Sequence, residues 1–184
     1  MNDRVRLKAL LIARSVRLGD FTLASGAKSD YYIDVRATSM SADGQVLVGR
    51  VGYQLVRESG LEPTHVGGLT MGADPVAYAI AHQSGIDGRP IDGFSVRKRA
   101  KEHGTGQRVE GGVPVGARCL VVEDTMTTGK SSLEAVEAVR AHGAHVVGVL
   151  TLVNRSVDSA MFEREGLPLL WVFTGEELLR AARG

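Results

Sequence analysis

The run Arg118-Cys119-Leu120-Val121-Val122 constrains the fold more than any other stretch of the chain. Its apolar residues follow one another without alternation and include two β-branched side chains. As a strand, such a run has no polar face for water and belongs inside a parallel sheet covered by helices on both sides. Two adjacent carboxylates, Glu123 and Asp124, follow it. Next come Thr125, Met126, Thr127, Thr128, Gly129, Lys130, Ser131 and Ser132, and residues 131–140 have the spacing of a helix. The ligand crevice of an open parallel sheet lies outside the carboxyl ends of its strands, where this loop falls. The unpaired N–H groups and positive dipole end of a starting helix suit a phosphate. Thr127, Thr128 and Ser131 add hydroxyl donors, and Gly129 allows close approach of the backbone. Carboxylates repel phosphate, so Glu123 and Asp124 need a different partner, and a pair of vicinal sugar hydroxyls fits them. The stretch therefore reads as a ribose-phosphate site. Two like charges side by side also make one of these carboxyl groups a candidate to handle a proton.

The rest of the chain supplies the sheet that this strand requires. Apolar positions Val5, Leu7, Leu10, Leu11 and Val16 predict a surface-docked helix over 3–18, stopped by Gly19. Residues 21–23 and 31–35 read as a hairpin joined by a connection rich in turn formers. Ser41 is suited to cap a helix that runs to Gly60. Strands are then predicted at 64–69, 91–96, 117–122, 145–152 and 167–173, with helices from Asp74 or Pro75 to Gln83 and after the acidic pair. Thr174 and Glu177 have capping-box spacing for a last helix over 176–182. Such alternation implies βαβ units and a parallel sheet with helices on both faces. Residues 98–114 fit no regular element. Structureless loops of that length inside a compact domain are usually functional.

Composition narrows the class. With 184 residues, 43% hydrophobic and 23% charged, the chain reads as one domain, with residues 1–40 forming an N-terminal helix and hood and 41–184 an α/β core with a mobile loop at about 98–114. A formal net charge of +1 gives no polyanion-binding surface, so no nucleic-acid partner is expected. The single cysteine, Cys119, lies in the buried strand and reads as a core residue. No secretory leader and no membrane-length apolar window is evident, and a cytoplasmic address without membrane association is the expectation.

Other constellations gather at the same sheet edge. Gly129-Lys130-Ser131 resembles the end of a Walker A loop, but the glycine required five positions earlier is Asp124, and no G-x-G-x-x-G follows a strand. Arg97-Lys98-Arg99-Ala100-Lys101-Glu102-His103-Gly104 holds four fixed cations and a histidine against one acid, at the end of a predicted strand. A loop of this kind can close over a polyanion and stabilise charge on a departing anion where water is excluded. Arg155 follows another strand and suits a planar carboxylate or oxo-bearing ring. The turn from Gly67 to Pro75 is glycine-rich and opens a helix, as a pyrophosphate nest would, or as a tight packing turn would.

With these pieces in view the chain resembles the type I phosphoribosyltransferases. The resemblance is carried by Val121-Val122-Glu123-Asp124-Thr125-Met126-Thr127-Thr128-Gly129, similar to that family's phosphoribosyl-pyrophosphate signature. Within the family it resembles the orotate phosphoribosyltransferases, through the Arg97 to Gly104 loop and through Phe21-Thr22-Leu23-Ala24-Ser25-Gly26, similar to their hood. The resemblance implies the family's parallel-sheet fold, and transfer of a 5-phosphoribosyl group from phosphoribosyl pyrophosphate to N1 of orotate with Mg2+. It further implies that Glu123 and Asp124 hold the ribose hydroxyls and that Thr125, Met126, Thr127, Thr128, Gly129, Lys130 and Ser131 wrap the 5-phosphate. Arg97, Lys101 and His103 would reach pyrophosphate, with Lys101, His103 and Asp124 carrying catalysis. Lys98 would come from the other subunit of a homodimer, and Thr127 and Arg155 would contact orotate. The metal would be held by substrate oxygens and waters, without a dedicated set of protein ligands. Two lysines frequent in the family stand here as Ala24 and Gly72, and backbone groups of Met71 to Asp74, or Lys28, are expected to take part of their load. No fused orotidine monophosphate decarboxylase domain is expected. A purine phosphoribosyltransferase and a non-catalytic nucleotide- or RNA-binding regulator of the same fold are the alternatives.

Overall fold

The computed structural model describes residues 2–22, 26, 28–99, 107–155 and 159–184. Helix α1 (Asp3–Ser15) starts at Asn2, whose side chain accepts from the Arg4 N–H. It ends earlier than its apolar spacing suggests. Val16 turns extended and begins β1 (Val16–Thr22), which pairs antiparallel with β2 (Lys28–Ile33) through Val16–Ile33, Arg17–Tyr32 and Leu18–Tyr31. Pairing with β2 therefore overrides the helical pattern at Val16 and Leu18. The predicted stop at Gly19 falls instead in a register shift between Leu18 and Phe21. This ribbon is a two-stranded sheet of its own.

A one-turn helix, α2 (Arg36–Ser39), leads into α3 (Ala42–Ser59), where Ser41 accepts from the Gly44 N–H at the start and Gly60 takes the left-handed conformation at the end. There follow β3 (His65–Leu69), α4 (Ala73–Ile86), β4 (Asp92–Val96), β5 (Val109–Glu110), β6 (Arg118–Met126), α5 (Lys130–Ala141), β7 (His145–Asn154), α6 (Ala160–Arg164), β8 (Leu169–Thr174) and α7 (Gly175–Arg183). The strand order is β5-β4-β3-β6-β7-β8, parallel except where β5 runs antiparallel to β4. Strand β5 lies within the stretch predicted to have no regular structure. Two residues are too few to show a period, and their pairing with Ser95 and Val96 is a tertiary event.

Strand β6 alternates between two cores. Leu120 and Val122 pack with α1, α3, α4 and α7, including Leu7, Val48, Ile80 and Leu178. Cys119 and Val121 pack with Ala135, Val136 and Val139 of α5 and with Phe162 of α6. Both faces are dry, which is why the run has no polar alternation. The connections β3-α4-β4 and β6-α5-β7 travel in opposite directions across the sheet, so right-handed crossovers put α4 and α5 on opposite faces. The chain reverses direction between β3 and β6. In such a sheet the crevice opens at that switch point, outside the carboxyl ends of the two strands. Among the described residues, no helix is long and apolar enough to cross a membrane.

Candidate active site

The acidic pair lies inside β6, continuing the ladder with β7 through Glu123–Thr151 and Thr125–Val153. Neighbours on a strand face opposite sides, yet both carboxyl groups remain near one another at the sheet's end. The Asp124 N–H donates to Glu123 Oε1 at 3.3 Å, and the Thr125 N–H donates to Asp124 Oδ1 at 2.7 Å. Glu123 is only 8% exposed. Burial, and then the charge of Asp124, push its carboxyl up to about 8, against a smaller opposing pull from Lys98. Asp124 is also raised by burial, while the Thr125 N–H and the Arg36 guanidinium favour its ionised form. The pair thus holds one proton well above the ordinary carboxylate range.

The hydroxyl loop turns directly out of this strand. Gly129 is the N-cap of α5, at φ 71°, and no side chain caps the helix. A Cβ there would lie 2.7 Å from Met161 Sδ and 3.0 Å from the Phe162 ring, so α6 packs where a side chain would be. Position 129 therefore needs glycine for both its backbone and its neighbours. Thr127, Thr128, Lys130 and Ser131 are exposed around the uncapped first turn, whereas Ser132 is buried. This is the arrangement that favours an anion.

Facing the acids is the loop from β3 to α4, which contains a cis peptide between Thr70 and Met71. A Cβ on Gly72 would stand 2.9 Å from carboxylate oxygens of both Glu123 and Asp124. No lysine fits at 72 without displacing the acids, which accounts for the glycine there. Lys28 donates to Thr22 Oγ1 at 2.9 Å, across the hood ribbon.

Of the cationic stretch, Arg97, Lys98 and Arg99 are exposed at the end of β4. Arg97 is 3.6 Å from Glu110, and its backbone bonds to Arg108. Lys101 and His103, like Ala24 of the hood, lie outside the described residues. Arg155 follows β7, where its N–H donates to the Met126 carbonyl at 2.8 Å. Its guanidinium donates to Tyr31 Oη at 3.3 Å and sits 5.2 Å from the centre of that ring. The Arg155 Nε is buried without a hydrogen-bond partner among the described residues, so this side chain retains donor capacity.

Three neighbours of the site were not anticipated from sequence. Arg36 pairs with Asp34 at 3.0 Å, and the charges of both act on Asp124. Tyr31 joins the hood to Arg155. For the first two, the signal was present as opposite charges two residues apart after an apolar strand. Tyr31 and Arg155 are 124 positions apart, and local pattern does not link them.

Residues 43–162 match the phosphoribosyl transferase domain family. The chain is 43% identical over 183 residues to the orotate phosphoribosyltransferase of Aquifex aeolicus, covering 97% of this chain and 99% of that one. The crystal structure of the Mycobacterium tuberculosis orotate phosphoribosyltransferase with Fe(III) dicitrate superposes with a TM-score of 0.87 at 45% identity, covering 96% and 99% of the two chains. That enzyme's complex with 5-phospho-α-D-ribosyl 1-diphosphate gives 0.81 at 42% identity, covering 96% and 99%.

Proposed function

The chain belongs to the orotate phosphoribosyltransferase family, and from that premise we propose that it transfers the 5-phosphoribosyl group of phosphoribosyl pyrophosphate to N1 of orotate, giving orotidine 5′-monophosphate and pyrophosphate. The observation that carries this reading is the acidic pair, buried Glu123 and half-buried Asp124, running straight into an uncapped, hydroxyl-lined helix start at the switch point of the sheet.

In this reading Glu123 and Asp124 receive the vicinal ribose hydroxyls, and Thr125 to Ser131 surround the 5-phosphate. N1 of orotate gives up its proton as it bonds to the anomeric carbon, the anomeric C–O bond breaks, and pyrophosphate leaves with the electron pair. Positive charge grows on the ribose and negative charge on the leaving group. The carboxylates beneath the sugar and the cations of the 97–103 stretch, Arg97, Lys101 and His103 among them, stabilise the two ends. Asp124, whose ionised form the Thr125 N–H and Arg36 favour, is the member of the pair suited to accept that proton. Thr127 and Arg155 contact orotate, the latter through its uncommitted donors. Mg2+ would suit this site: with Glu123 and Asp124 accepting hydrogen bonds from the ribose hydroxyls, the ion would be held mainly by substrate oxygens and waters and would neutralise pyrophosphate charge.

We further propose a cytoplasmic homodimer acting on these two small substrates, with no nucleic-acid or membrane partner. Lys98 reaching the neighbouring subunit's site is the finer reading. Its charge already acts on Glu123 of its own chain, which is the competing arrangement. The deciding assay incubates purified protein with phosphoribosyl pyrophosphate, magnesium and orotate and follows loss of orotate absorbance. Consumption of orotate is expected. Turnover of adenine or hypoxanthine with orotate untouched would replace this reading with a purine enzyme.

A further inference from the structure

Across the crevice from the acidic pair, the 70–72 loop rests on a carboxylate with no role in the scheme above. Thr70 Oγ1 donates to Asp74 Oδ2 at 2.5 Å, and Ser95 Oγ donates to Asp74 Oδ1 at 2.7 Å. Tyr78 Oη lies 2.7 Å from Ser95 Oγ. Ser95 has one hydroxyl proton and gives it to Asp74, so Tyr78 is the donor in that last contact. Protons therefore point one way, from half-exposed Tyr78 to Ser95 to Asp74, with Thr70 arriving at the other oxygen.

These four residues come from three parts of the fold. Thr70 follows β3 and its N–H donates to the Val96 carbonyl at 2.9 Å; Ser95 is on β4; Asp74 and Tyr78 are one turn apart on α4. One carboxylate thus ties β3, β4 and α4 together at the root of the loop whose Gly72 lies against Glu123 and Asp124.

We propose that Asp74 is a positioning residue for the phosphoribosyl-pyrophosphate site, holding the 70–72 loop at a fixed distance from the acidic pair through Thr70 and Ser95. The proposal rests on the donor-binding reading of that crevice. Its sign is distinctive. A carboxylate near a polyanion disfavours binding by charge alone, so removing Asp74 would tighten the donor if charge were its only effect. If the two charge-assisted hydrogen bonds set the loop, removal loosens the donor in spite of the lost repulsion.

The test compares Asp74→Ala, Asp74→Asn, Ser95→Ala and Ser95→Thr. KM is measured for each substrate, and binding of magnesium phosphoribosyl pyrophosphate is measured by calorimetry without orotate. Asp74→Ala is expected to weaken donor binding about tenfold, the scale of one lost charge-assisted bond, with orotate KM changed less than about twofold. Asp74→Asn keeps one acceptor and is expected to lose less. Ser95→Ala should show the same donor-selective defect in milder form, and Ser95→Thr should restore it. Unchanged or tighter donor binding by Asp74→Ala overturns the proposal. So does a parallel rise in both KM values with a lowered unfolding midpoint and no rescue by Asp74→Asn or Ser95→Thr, which is the pattern of a merely structural residue. Wild type run alongside separates the two readings: failure to turn over orotate counts against the proposed reaction, while the calorimetric comparison still decides the role of Asp74.

Discussion

Glu123 is a carboxyl group that folding removes from water and sets beside another acid. Its folded pKa is raised, so between the ordinary carboxylate value and about 8 the folded chain holds a proton that the unfolded chain has released. The stability contribution is full below that window and declines as pH rises through it, by about 1.4 kcal/mol per pH unit at most for one proton. Glu123→Gln should flatten this decline. We expect the variant to be more stable than wild type at pH 8, by about 1–3 kcal/mol, and nearly equal at pH 5. Urea unfolding of the ligand-free protein at the two pH values measures it. A stability difference between Glu123→Gln and wild type that does not grow from pH 5 to pH 8 would contradict the raised carboxyl of the pair. The same substitution should weaken binding of the sugar, since an amide, unlike the carboxyl group, cannot ionise to accept more strongly from the ribose hydroxyls.

At the scale of elements, the turn from β6 into α5 depends on one residue. Gly129→Ala places a Cβ against Met161 and Phe162 at a left-handed backbone position. A loss of about 1–3 kcal/mol is expected, together with a raised KM for phosphoribosyl pyrophosphate, read by unfolding and steady-state kinetics. An unaffected KM would detach the helix start from donor binding. Elements of this size were largely legible beforehand. The uninterrupted apolar run of β6, the Ser41 cap and the Thr174 cap, whose Oγ1 accepts from Glu177 at 3.0 Å, all depend on neighbours a few positions away. What escaped was set by distant contacts. Helix α1 stops early because β2 claims Val16 and Leu18, and β5 exists only against β4. The acids and hydroxyls of the site were visible because one stretch holds them. The bond of Asp74 to Ser95 spans 21 positions and two elements, and no local period records it.

In the molecule as a whole, the proposed donor contacts lie at the ends of the two central strands and the proposed orotate contacts at the rim. Mixing Lys98→Ala with Asp124→Asn chains tests the proposed assembly. If Lys98 serves the neighbouring subunit, mixed dimers carry one intact site and regain about a quarter to a half of activity by combinatorial pairing. If Lys98 serves its own chain, mixing restores nothing.

Among the described residues the hood ribbon shares no ladder with the main sheet. Few polar contacts hold it, among them the Asp34 N–H to the Ser15 carbonyl at 2.9 Å, Tyr31 to Arg155, and Arg183 to Asp30, and it joins the first core through Ile33, with Val16 and Tyr31 packed alongside. A part joined this sparingly is replaceable. Grafting a different ribbon that keeps Val16, Tyr31 and Ile33, the residues it lends to the first core, would leave the β3–β6 crevice unaltered, so under the proposed reading selection for a new acceptor base has a small target on which to work.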